Sequence, residues 1–290
     1  DGLVDGILGD ELLAAAACPA AARAGEGAAP MSSASFQRAS VEQQVASWQA
    51  SGTCEWRIVD GRLEIRPTEG RETGSLGTFD WRRYCYLIRS AVILPGVTAT
   101  TCEGMFEGCD QMTEVDLSGL DGSSAVSLAG MFNDCSALTS VDLSCLFGSS
   151  PNDAAFMFFG CSSLVSVNLS GINGSNINTL EAMFNSCSEL VSVALPDLSD
   201  SIATNTQTMF FDCVKLAELD LSGVHMPYLS NMENMFRRCK SLTSIDLSAL
   251  GASDVKDMDS VFSECTSLER VDLSGLEGSS PKEMNELFSA

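Results

Sequence analysis

Basic residues are scarce in this sequence: 16 Lys and Arg stand against 39 Asp and Glu over 290 residues, a formal net charge of −23. Not one Lys or Arg falls between Glu103 and Asp212. Nucleic-acid affinity comes largely from Lys and Arg displacing counterions at phosphates, so this charge excludes nucleic acid as a partner and disfavours anionic lipid. Long apolar runs are lacking too. None approaches the roughly 20 residues that a membrane helix needs, so direct membrane insertion of this segment is not expected. Histidine is nearly absent, His225 being the only one, and no C-x-x-C pair occurs, which removes zinc-site and thioredoxin-type readings. There is no G-x-S-x-G, no H-E-x-x-H and no Gly-rich phosphate loop. An aligned array of repeats also offers few water-excluded clefts for an acid–base pair. The chain reads as no enzyme, with no cofactor and no metal site.

What is present is a repeat of 26 residues. Phe recurs at 106, 132, 158, 184, 210, 236, 262 and 288, and Cys follows the first seven by three residues, from Cys109 and Cys135 to Cys265. Three further on stand Met112 and then Leu138, Leu164, Leu190, Leu216, Leu242 and Leu268. A paired set such as Val141 and Leu143 follows in every unit, and no interval gains or loses a residue. Leu128, Met131, Phe132 and Cys135 show the i, i+3, i+4, i+7 spacing of a short helical turn. Val141 and Leu143 alternate with Ser140, Asp142 and Ser144, as on a strand with one apolar side. Gly, Ser, Asn and Asp between them mark turns. One such unit buries too little to order itself, so the units must stack into a continuous solenoid.

The stretch GMFNDCSALTSVDLS, with its C-x-x-L-x-x-V-x-L core, closely resembles the BspA-type leucine-rich repeats of bacterial surface proteins, and the resemblance covers about residues 103–290. The expected architecture is an α/β leucine-rich-repeat solenoid. It would be a curved horseshoe with a parallel sheet on the concave face, short helices or turns on the convex face and an N-terminal β-hairpin cap. Three regions follow: an Ala-rich, poorly ordered leader over 1–39, a helix and β cap over 40–102, and about seven repeats plus a partial eighth over 103–290. The run LLAAAACPAAA has acidic flanks and is read as part of the leader rather than as an export signal. Ser40 and Gln43 suggest a capping box opening a helix that carries Val41, Val45 and Trp48. Asp60-Gly61 between alternating segments suggests a hairpin. The array breaks off in mid-unit at Leu287 and Phe288, as expected if it is truncated or closed by a cap beyond.

The Cys row is read as buried small hydrophobes, and Cys54, Cys85 and Cys102 in the cap as better disulfide candidates. Asp116, Asp142, Asn168, Asp220, Asp246 and Asp272 share one outward strand position, a line stepping about 4.8 Å per coil. Two readings stand side by side: a track for cations or basic ligands, or acceptors for turn amides just past each strand. Ala194 and Pro196 interrupt the line, which weakens any continuous metal site, and calcium would need six to eight oxygens per ion. Glu114 and Glu218 join the candidate binding set. So do His225 and Tyr228, in the least repeat-like turn.

The physical pattern suits recognition of a macromolecule along a preformed face. The resemblance implies more: an exported protein at the bacterial cell surface that adheres to extracellular host or bacterial proteins, here through basic surfaces. A structural spacer, or an accessory repeat region of a larger surface-anchored protein or enzyme, is the alternative.

Overall fold

The computed structural model describes residues 33–290 apart from Ser253, Glu283 and Ala290. The chain divides into two units, Asp1–Arg38 and Ala39–Ala290. Most of the expected leader lies outside the described residues. The first described element is helix α1, Ser33–Val45. Ser40 therefore sits inside a helix instead of capping one, because the Ala, Gln and Arg upstream are helix formers too. Trp48 falls beyond the helix end, where the Arg57 and Arg66 guanidinium groups lie 4.5 and 3.9 Å from its ring centre.

Strands β1 (Gln49–Ser51), β2 (Cys54–Val59) and β3 (Arg62–Pro67) form an antiparallel meander. Asp60 and Gly61, with φ of 51° and 81°, make the β2–β3 turn, since two-residue hairpin turns of this kind need positive φ at both positions. Trp56, Ile58, Leu63 and Ile65 face inward and are buried. From β3 onward pairing turns parallel. β3 is followed across the sheet by β5 (Ser90–Ile93) and β7 (Glu114–Asp116), while β4 (Gly74–Ser75), β6 (Val97–Thr98) and β8 (Leu120–Asp121) form a second ladder.

The cap is a shortened coil. Ser90 pairs with Glu114 and the Trp81 indole donates to the Met105 carbonyl at 2.8 Å, each across 24 residues instead of 26. Cys85 obeys the same offset and forms a disulfide with Cys109, Cα–Cα 4.4 Å. This corrects the expectation of a bridge within the cap: Cys54 and Cys102 are free and buried, and the partner of Cys85 is the first member of the repeat row.

The repeats stack in strict register. β9 (Ser140–Asp142) pairs with β10 (Ser166–Asn168), and β11 (Ser244–Asp246) with β12 (Arg270–Asp272). On another side of the coil single bridges link Ser127, Asp153, Thr179, Asn205, Asn231 and Asp257 in turn. Eight Phe rings, Phe106 to Phe288, stack with centroids 5.3 to 5.7 Å apart and interplanar angles of 2° to 14°.

The segment expected to be a helical turn is built differently. The N–H groups of Gly104, Phe106 and Gly108 donate to carbonyls of Ala129, Met131 and Asn133 in the next coil, at 2.9, 2.9 and 2.8 Å. Those of Met105, Glu107 and Cys109 close local turns three residues back. An α-helix would use every N–H within itself; here alternate ones tie coil to coil. The geometry requires two left-handed residues per coil. Gly104 and Gly108 supply them first, but later coils place Phe156, Ala182, Thr208 and Arg238 there, with φ between 52° and 65°. Such residues adopt this region at a cost of about 1–2 kcal/mol each, offset by the ladder.

The Cys row adds one more tie. The thiols of Cys135, Cys161, Cys187, Cys213, Cys239 and Cys265 donate to the Phe carbonyl of the preceding coil at 2.9 to 3.2 Å. Burial pushes them up, Cys161 to about 12, which leaves them protonated and unreactive at neutral pH.

Two stability outcomes follow. Phe184→Ala in mid-stack should cost about 3–5 kcal/mol in chemical denaturation, whereas Phe288→Ala, at a half-exposed ring, should cost under about 1 kcal/mol; equal losses would sink the stacked-core account. Reducing the Cys85–Cys109 bridge should remove about 3 kcal/mol through loop-closure entropy, and a denaturation midpoint unchanged by reductant would count against the pairing.

A candidate binding face on the strand side

Each candidate oxygen on the strand side performs the same local task. The side chain of Asp116 accepts the N–H of Ser118 at 2.9 Å, and Asp142, Asn168, Asp220, Asp246 and Asp272 accept from Ser144, Ser170, Ser222, Ser248 and Ser274 at 2.8 to 3.1 Å. The motif is an Asx turn that redirects the chain just past the strand. All six side chains are exposed. Neighbours along the line meet directly where Asn168 donates to Asp142 at 2.9 Å, and Asp246 pairs in register with Asp272.

The interruption at Ala194 has a physical reason. Two residues on stands Pro196, which has no N–H to offer, so an acid at 194 would lose the bond that every equivalent acid makes. The turn shifts instead to Asp197, which accepts from Ser199 at 3.1 Å. Among the described residues no strand forms in this coil or the next, and the ladder lapses between β10 and β11.

Glu114 and Glu218 lie two residues before Asp116 and Asp220, exposed and on the same strand side. His225 and Tyr228 stand apart from that line, on the exposed turn that follows Asp220. The His225 ring sits over Gly251, where any Cβ would come within 2.3 Å of Cε1, and its Nδ1 lies 3.4 Å from the Ala249 carbonyl.

A second row of caps escaped the sequence reading. Ser127, Asp153, Thr179, Asn205, Asn231 and Asp257 each accept the N–H two residues on, at 2.8 to 3.3 Å. The signal was an oxygen-bearing side chain at a constant 26-residue step. Beside it runs a polar ladder in which Asn205 donates to Glu181 at 3.0 Å and Gln207 to Glu233 at 2.6 Å. Burial, then Asp257 and Asp259, raise the Glu233 carboxyl above its ordinary value. Arg238 lies 3.4 Å from Asp212 and 3.6 Å from Glu264, and Arg237 is 3.3 Å from Glu264. Those two cations are engaged away from the strand side, where Arg270 is exposed two residues before Asp272. Among the described residues no group of three His, Cys, Asp or Glu side chains is placed to hold a metal ion, and no helix is long and apolar enough to cross a membrane.

The family model described as "Mycoplasma protein of unknown function, DUF285" matches residues 97–195 and 204–290. No curated protein matches the sequence. Among solved structures the chain is similar to a leucine-rich-repeat protein of T. pallidum, at 16% identity over 75% of this chain and 88% of that one, TM-score 0.35. It is also similar to a leucine-rich-repeat protein of Eubacterium ventriosum, at 15% identity over 78% and 84%, TM-score 0.25.

The Asx turns carry a pH signature. Hydrogen bonds from Ser118 and Ser144 hold the Asp116 and Asp142 carboxyls below their ordinary value of 3.8. A carboxyl whose folded value is depressed contributes stability in full above its unfolded value, and that contribution is lost as pH falls through the folded value. The stability gap between the wild type and Asp142→Ala should therefore stay constant from neutral pH to about 5 and shrink below about 4. A gap that holds down to pH 2 would show that the charge of Asp142 takes no part.

Proposed function

Starting from the fact that the chain belongs to the family described as Mycoplasma protein of unknown function, DUF285, we propose that it is a non-enzymatic protein-binding module at a bacterial cell surface. Its strand side receives basic surfaces of extracellular host or bacterial proteins. The observation that carries the reading is the exposed line Asp116, Asp142, Asn168, Asp220, Asp246 and Asp272, joined by Glu114 and Glu218, whose first part lies in a stretch without Lys or Arg from Glu103 to Asp212.

A rigid ladder suits this use, because side chains held in place by their turns lose little entropy on binding. A carboxylate has about four accepting sites, so the bonds of the turn do not exhaust each Asp as an acceptor for a partner's cation. Like charges about 4.8 Å apart fall within one screening length, so their field adds along the face and steers a basic partner. The disulfide between Cys85 and Cys109 supports an oxidising location outside the cytoplasm. His225 and Tyr228 would lie at the margin of the contact.

The test is binding of the chain to a panel of extracellular-matrix and mucosal proteins at about 50 and 200 mM salt. Saturable binding that weakens several-fold at the higher salt is expected. The triple variant Asp142→Asn, Asp220→Asn, Asp246→Asn should weaken it as well while keeping the fold, since Asn168 already makes the same turn in its own coil. Binding indifferent to salt and to the triple variant would remove the acidic face from the account, and silence across the panel would favour the spacer reading.

A further inference from the structure

Four observations converge on the coil that begins near Val191. The acidic line lapses there, at Ala194 and Pro196. The strand ladder lapses with it, no strand being formed among the described residues between β10 and β11. The family model matches on both sides of residues 196–203 but not across them, so this coil departs from the pattern the rest of the array follows. Exposed apolar side chains gather beside it. Val165 and Val191, 49% and 47% exposed, hold one position in successive coils where Thr113, Thr139 and Thr243 stand elsewhere.

Carboxylates surround this apolar centre. Asp142 precedes it on the strand line, Asp197 and Asp200 are exposed within the coil, and Glu218 and Asp220 follow. Lys215, in the following coil, is tied to Glu189 at 2.6 Å. An apolar centre inside a polar, charged rim is the arrangement by which protein interfaces concentrate affinity. Half-exposed side chains grouped on a rigid surface are also unlike the scattered apolar residues of ordinary surfaces.

We propose that Val165, Val191 and Ala194 form the seat for an aliphatic or aromatic side chain at the middle of a basic protein segment, with the flanking acids holding Lys or Arg on either side. The inference rests on the protein-binding reading above and sharpens it. Charge alone would make the face a sink for any polycation; the apolar seat selects segments whose cations are separated by an apolar pair. The missing acid at 194 is then part of recognition, because a carboxylate there would have to be desolvated by the incoming side chain.

The experiment measures binding of the full chain to two immobilised synthetic peptides of equal charge, four Lys around a Leu-Phe centre and four Lys around a Ser-Ser centre. The Leu-Phe peptide is expected to bind about tenfold tighter. Val165→Ser with Val191→Ser should erase that preference while leaving the Ser-Ser peptide unaffected. Ala194→Asp, which restores the acid of other coils, should tighten the Ser-Ser peptide and weaken the Leu-Phe peptide. Equal affinity for both peptides that falls with salt overturns the seat and leaves the acidic face standing. Tightening of both peptides alike by Ala194→Asp overturns the seat as well, and failure of both peptides to bind at low salt overturns both readings.

Discussion

Each coil passes part of its backbone hydrogen bonding to the next, and from that constraint the rest of the structure follows. The donors at 104, 106 and 108 are satisfied only if the carbonyls at 129, 131 and 133 return to the same place. An inserted residue would misalign every such pair downstream and leave buried polar groups unmatched, at a cost of about 1–3 kcal/mol each. The constant 26-residue step is therefore a condition of folding. Side chains inherit it: rings stack on rings, thiols on Phe carbonyls, Asx turns on Asx turns. The ladder also tolerates what an isolated turn would not, such as Thr208 at φ 52° and Arg238 at φ 65°, where glycine stood in the first coil.

Much of this was legible before any coordinates, because a fixed period converts directly into stacking. Phe106 to Phe288, the Cys row and the Val–Leu alternation all announce an interior, and Asp60-Gly61 announces a hairpin. What misled was the interval i, i+3, i+4, i+7 at Leu128, Met131, Phe132 and Cys135. A helix and a run of alternating left- and right-handed turns can bury the same four side chains, and the pattern records only which side chains are inside. The distinguishing signal lay elsewhere, in Gly104 and Gly108, four residues apart in the first coil, and in Gly130 and Gly160 at the same two positions of later coils, where a helix disfavours glycine. The disulfide was missed for a related reason. Cys85 was judged against its neighbours in the cap, whereas it obeys the coil step, shortened to 24 by the cap itself.

The candidate face was legible as a row of residues but not as a set of bonds. A sequence shows Asp at a constant step; it does not show whether the carboxylate is engaged by the protein or offered to a partner. The structure shows that both oxygens need not share one role. One oxygen accepts the Ser N–H two residues on, and at Asp142 the same oxygen also accepts from the Asn168 amide. Asn168 makes the same bond without the charge, which separates the two contributions in the molecule itself: the turn asks only for an oxygen, so the turn alone gives no reason for carboxylates at five of the six positions.

That surplus of charge has an energetic consequence. Carboxylates stacked about 4.8 Å apart repel one another at a distance shorter than the screening length of about 8 Å in physiological salt. The Asn168 amide relieves the repulsion at Asp142 by donating to it at 2.9 Å, and Ala194 removes it in the next coil. Where Asp246 and Asp272 stand in register, an exposed Arg270 lies two residues before Asp272 on the same strand side. On the proposed reading, a basic partner laid along the line would relieve the repulsion that remains. Between residues 165 and 196 the line carries Asn168 and Ala194 and no acid, and Val165 and Val191 are exposed. A partner that only neutralised charge would, on that reading, gain least there. Contact at the centre consequently needs a partner with something apolar to bury, and the boundary between the two regimes falls where the repeat itself falters, at Pro196.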